Sequence, residues 1–161
     1  MADLASRLAH ITLVGEALTR LSPILEADRA QAVADLQAEN HFVPTGLNEG
    51  PYVLTLSIQE GRLAFEISYQ DPAAGDQSRT ILLALGPFRG LIKDYQMLVD
   101  SHIKAVEEGR EARIQAIDMG RRGLHNEGAN LMIDRLAGKV EIDFETARRL
   151  FTLVCVLHQR I

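Results

Sequence analysis

Tryptophan is missing from this 161-residue chain, and aromatic residues together make up only 5% of it. A core built from such a sequence has to rely on Leu, Ile, Val and Ala rather than on large rings. The single cysteine, Cys155, excludes an internal disulfide and suits a reducing, cytoplasmic setting. It lies within an apolar run, which marks a buried, inert thiol rather than a nucleophile. Long hydrophobic runs are also lacking. The longest, Leu150 to Leu157 with Thr152 inside it, falls well short of the ~20 residues that cross a bilayer, so no membrane span is expected. Met1 to Gly15 carries Asp3 and Arg7 without a sustained apolar stretch, and no secretory signal is expected there.

Several catalytic patterns are absent as well. There is no Walker-type phosphate loop, no Rossmann glycine pattern and no glycine-flanked serine nucleophile. His125 and Glu127 stand two apart, which puts them on different faces of a helix, and Cys155 with His158 supplies no second half of a metal site. Neither a metal nor another cofactor is expected. Net charge is −5, unevenly spread: residues 1–100 hold 7 basic and 13 acidic side chains, whereas residues 101–161 hold 10 and 9. An acidic whole argues against broad nucleic-acid binding, while the basic groups collected near Arg121, Arg122, Lys139, Arg148 and Arg149 could still hold one anionic group.

What is present fits an ordinary globular domain spanning 1–161, with 47% hydrophobic and 24% charged residues. Ile11 and Leu13 alternate with Thr12 as a short first strand. Ser22-Pro23 reads as an N-cap and first helical residue, opening a helix to about Glu39 that Asn40 and Pro44 end. From Pro51 the period changes to two: Leu54, Leu56 and Ile58, then Leu63, Phe65, Ile67 and Tyr69, with Glu60-Gly61 as the hairpin turn. A loop over 71–78 leads to a third antiparallel strand, Arg79 to Leu85. After Gly86-Pro87 the whole chain reads as helix. The first helix carries a stripe from Phe88 to Val106 and stops at Gly109; a second passes through a glycine-rich stretch to about Ala137; Asp143 caps a last one that is apolar nearly all round. The expected class is α+β: a small antiparallel sheet, a three-strand meander with an N-terminal edge strand, covered by one N-terminal and about three C-terminal helices.

Ile117 to Gly128 is the segment that folding alone does not explain. It places three glycines among Asp118, Arg121, Arg122, His125, Asn126 and Glu127 where an apolar stripe should run. On a continuous helix Arg121 and His125 fall beside the apolar edge of Ile117, Leu124 and Leu131, so each needs a partner or a cleft. Asp118 and Arg122 have the spacing of a helical ion pair. A break between Gly120 and Gly123 would instead open a helix N-terminus beside two guanidinium groups, an anion site. Arg148 and Arg149 could reach Asp118 and Glu127 or remain surface charges. Arg89, Lys93 and Asp94 read as helix-surface charge, and His102 as a packed core or interface histidine.

Ile117 to Gly128, Arg135 to Phe144 and Thr146 to Leu153 together closely resemble uncharacterised protein family 0262 of alphaproteobacteria. Gly50-Pro51-Tyr52, Pro87-Phe88-Arg89 and Lys93-Asp94-Tyr95 extend the likeness over most of the chain. The resemblance implies a bacterial cytoplasmic protein, and it brings no activity, ligand or catalytic residue.

Three functions therefore stay open. A binding or adaptor module would hold an anionic small molecule or protein partner through Arg121, Arg122, His125, Asn126, Arg148 and Arg149. An enzyme on a phosphorylated or carboxylated small molecule would use His125 as acid or base, assisted by Asp118 or Glu127. A structural protein would form a homo-oligomer through its apolar last helix and His102.

Overall fold

The computed structural model describes residues 4–75 and 78–158. Its main elements, in order, are β1 (Leu8–Val14), α1 (Pro23–Ala38), β2 (Phe42–Pro44), β3 (Tyr52–Gln59), β4 (Arg62–Tyr69), β5 (Arg79–Ala84), α2 (Arg89–Glu107), α3 (Glu111–Leu136), β6 (Val140–Ile142) and α4 (Phe144–Leu157). The class is α+β, as expected. The loop expected over 71–78 includes Asp76 and Gln77, which lie outside the described residues.

The four-stranded sheet has the order β1-β3-β4-β5. Its meander β3-β4-β5 is antiparallel, and the β3–β4 hairpin turns at Glu60 and Gly61, both at positive φ (51° and 74°). That left-handed pair matches the right-handed twist of the flanking strands. The expectation of a purely antiparallel sheet fails at β1, which is an edge strand but runs parallel to β3. The physical reason is the connection: α1 carries the chain back along the sheet, and a helical crossover returns the next strand in the same direction. A second correction is a two-stranded antiparallel sheet of β2 and β6, so the chain after Pro87 is not all helix. Three residues per strand show no readable period.

One sheet face, Ile11, Leu13, Leu54, Leu56, Phe65, Ile67, Ile81 and Leu83, is buried under helices. The opposite face shows Thr12, Val14, Glu66, Thr80 and Leu82 to solvent. α4 lies centrally and packs on α1, α2, α3, β1 and β3. The chain itself buries Thr146, Ala147 and Leu150 to Leu157 of this helix, whereas Phe144 at its start is exposed.

The helix ends follow local chemistry. Asp143 accepts from the Thr146 backbone N–H at the start of α4, and Gly138 (φ 79°) stops α3. Ser22 occupies the N-cap of α1 but makes no cap bond, and its buried Oγ has no hydrogen-bond partner among the described residues. Asn40 does more than end α1. Its amide donates to the Leu36 and Leu8 carbonyls while its Oδ1 accepts from Leu8 N–H, tying the helix terminus to β1. α3 is continuous across Gly120 to Gly123, so no helix N-terminus opens there.

Candidate functional site

α1, α3 and α4 meet around an open cleft of about 160 Å³. Asp28, Gln31, Ala32 and Asp35 from α1 form one wall; Arg148, Arg149 and Thr152 from α4 form the other; His125 of α3 lies between them. The helical repeat places these groups. Asp28 and Asp35 are two turns apart on the same edge of α1, and Arg148 and Thr152 are one turn apart on α4.

Beneath the cleft, three helices are joined through one carboxylate. Asp28 Oδ2 accepts from the Tyr95 hydroxyl of α2 at 2.5 Å and pairs with the Arg121 guanidinium of α3. Asp28 and Arg121 are only 19% and 14% exposed. Burial works against the charge on Arg121, but the Asp28 carboxylate outweighs it and holds the guanidinium more firmly protonated than usual. Burial, then the neighbouring Asp28, pushes the Tyr95 hydroxyl well above its usual range, so it stays a donor. The Arg121 carbon also sits 5.9 Å from the Tyr95 ring centroid.

His125 lies against two rings, Tyr95 at 5.7 Å and Phe151 edge-on at 6.2 Å. Burial first, and then the Arg121 and Arg148 cations, lower its pKa to about 4, so the ring is neutral at pH 7. Its Nε2 is buried and has no hydrogen-bond partner among the described residues; the same holds for Nε of Arg121 and of Arg148. A buried polar atom left unpaired in this way costs about 1–3 kcal/mol, which singles out the α3–α4 side of the cleft.

The two arginines of α4 differ. Arg149 is committed, with Nε 3.4 Å from Asp35 Oδ2 and a second, short contact to Glu145. Asp35 is further occupied by Gln31, which donates to its Oδ1 at 2.8 Å. Arg148 forms no ion pair among the described residues, and it lines the cleft with a half-buried side chain.

Of the residues singled out in the sequence, His125, Arg148 and Arg149 come together here, with Arg121 just below. Asp118 is displaced from the expected pairing with Arg122; it lies 3.7 Å from His102 Nε2 and 3.9 Å from Arg121. Arg122, Asn126 and Glu127 are exposed and do not line the cleft. A continuous helix turns those positions away from α1 and α4. Sequence reasoning passed over Asp28, Asp35 and Tyr95. A sign was available: Leu25, Asp28, Ala32 and Asp35 recur at three-four spacing, so two acids occupy stripe positions of α1.

A larger groove of about 520 Å³ runs along α2 past Arg89, Lys93, Met97 and Asp100 to His158. Among the described residues no buried unpaired polar atom borders it. Among the described residues no three His, Cys, Asp or Glu side chains gather as a metal site, and no helix is long and apolar enough to cross a membrane.

The pattern of an uncharacterised protein family, UPF0262, matches residues 5–160. A UPF0262 protein of Granulibacter bethesdensis is 69% identical over 166 residues, covering 98% of this chain and 92% of its own. One from Acidiphilium cryptum is 55% identical over 159 residues (99% and 96% covered), and one from Rhizobium etli is 47% identical over 154 (96% of each). No solved structure matches the chain.

Proposed function

We propose, for a chain that belongs to the uncharacterised protein family UPF0262, that it is a non-enzymatic binding module which holds a small anionic group in the cleft between α1, α3 and α4. One observation carries this reading: Arg148, which has no ion pair among the described residues, brings a guanidinium with a buried Nε to an open cleft beside His125 Nε2, and neither nitrogen has a hydrogen-bond partner among those residues. An anion there would supply the missing acceptor for guanidinium donors. Arg149 would contribute only by loosening its contacts to Asp35 and Glu145. Arg121 would act from below, holding Asp28 in place. We place the protein in the cytoplasm on the strength of its single, buried cysteine. The anion belongs to a small molecule or to a side chain of a protein partner.

The acid–base role for His125 has less behind it. Asp118 is engaged by His102 and Arg121, and Glu127 lies outside the cleft.

The test is thermal unfolding with millimolar phosphate, sulfate or acetate at constant ionic strength. A ligand at a hundred times its Kd stabilises the native state by about 2.7 kcal/mol, a readable rise in Tm. Wild type and an Arg122→Ala control should both gain that stabilisation, and Arg148→Gln should lose it. Equal stabilisation of Arg148→Gln would remove the cleft from consideration.

A further inference from the structure

We infer that the cleft takes a small molecule carrying a single carboxylate, and that it selects against doubly charged and tetrahedral anions. This rests on the anion-binding reading above and narrows it to one charge and one shape. Arg121 lies between Asp28 and Asp118, and Arg149 between Asp35 and Glu145, so each of these guanidiniums already faces two carboxylates. Arg148 lines the cleft and forms no ion pair among the described residues. One guanidinium matches one negative charge. A second charge on the ligand would meet Asp28 and Asp35 on the opposite wall, with no further cation among the described cleft residues to offset it. Like charges brought together in a partly desolvated site repel, and that repulsion is a specificity device.

Shape points the same way. The Nε–H and one Nη–H of a guanidinium form a planar fork that meets both oxygens of a carboxylate. Arg148 Nε and His125 Nε2 are both buried without a hydrogen-bond partner among the described residues. With its proton on Nε2, the neutral imidazole donates to a remaining lone pair of the same carboxylate and adds no charge. The neighbouring donors are engaged. Thr152 gives its hydroxyl proton to the Arg148 carbonyl at 3.2 Å, and Gln31 turns its amide to Asp35. A tetrahedral anion would bring a third oxygen that finds no donor among these groups, and a polar atom left unpaired in a half-buried site weakens binding. Size sets a further limit. At about 160 Å³ the cleft is comparable with a cavity that admits one benzene, which bounds the enclosed ligand at about six to ten heavy atoms. A carboxylate with a short uncharged tail, lying along Ala32 and Thr152, fits this description.

Isothermal titration calorimetry at pH 7 and fixed ionic strength separates charge from shape with four probes. Propionate is planar with one charge, malonate planar with two, methanesulfonate tetrahedral with one and sulfate tetrahedral with two. Propionate should bind the wild-type protein about fivefold or more tightly than each of the other three, a gap set by one unmatched charge or oxygen. Arg148→Gln should lose propionate binding, which locates the site in the cleft. Should Arg148→Gln fail to fold, the wild-type ranking decides alone. Any of the other three probes binding within that margin of propionate would overturn the carboxylate inference and leave anion binding standing. Propionate binding that persists in Arg148→Gln, or no binding of any probe, would end both readings.

Discussion

Gly123 and Gly128 sit in the same helix and call for opposite substitutions. A Cβ at Gly128 would lie 2.3 Å from the Phe151 ring, whereas one at Gly123 would meet nothing within 4 Å. The first glycine of the pair leaves open helix surface; the second lets α4 lie against the α3 backbone. Gly128→Ala should therefore cost about 1–3 kcal/mol by overpacking, and Phe151→Leu in the same chain should recover part of it. Gly123→Ala should raise stability by about 0.5–1 kcal/mol, the ordinary helix gain. Urea titrations of both variants decide the matter; a stabilised Gly128→Ala would mean that the α3–α4 contact is wrongly described.

His125 gives a pH signature at the same scale. In the unfolded chain its imidazole titrates near 6.5, and in the fold at about 4, in the company of Arg121, Arg148, Arg149 and Asp28. Between those values the unfolded state binds more protons, so stability must fall as pH drops from about 6.5 to 4. The histidine's share of that loss is up to about 3 kcal/mol. His125→Gln should flatten the stability curve within that window and leave it unchanged above pH 7. An unaltered slope would show that the ring is not buried among cations.

At the scale of elements, Asp28 fastens α1 to α2 and α3 through Tyr95 and Arg121. Removing one member of a largely buried pair leaves the other charge without compensation. Arg121→Met should thus cost about 3–5 kcal/mol, and Asp28→Asn added to it should restore a measurable part. A double-mutant cycle with no coupling would contradict the arrangement. The sequence made half of this cluster readable. Arg121 and His125 stand out because polar groups interrupt an apolar edge of α3. Asp28 was as conspicuous in α1, yet its partners lie 67 and 93 positions away, and no local spacing connects them. Elements with a long period were readable for the same reason that β2 and β6 were not. Hairpin β3–β4 repeats its alternation over eight residues a strand, whereas three residues hold no period to detect.

Across the whole molecule, the acidic N-terminal region and the mildly basic C-terminal one face each other at the cleft, α1 against α4. The halves' charge asymmetry was visible in composition; their juxtaposition follows from the parallel β1–β3 crossover, which sets α1 against α4. Most charges on the facing edges cancel in pairs, Arg121 with Asp28 and Arg149 with Asp35. Arg148, also on the cleft, has no such partner among the described residues, and the case for a ligand depends on it.

Backbone amide NMR during titration with sodium acetate, at fixed ionic strength, examines that dependence most directly. Binding in the cleft predicts saturable shifts confined to residues 28–35, His125 and 148–152, all abolished in Arg148→Gln. Shifts centred on Arg89 and Lys93 in the α2 groove, or surviving unchanged in Arg148→Gln, would contradict it.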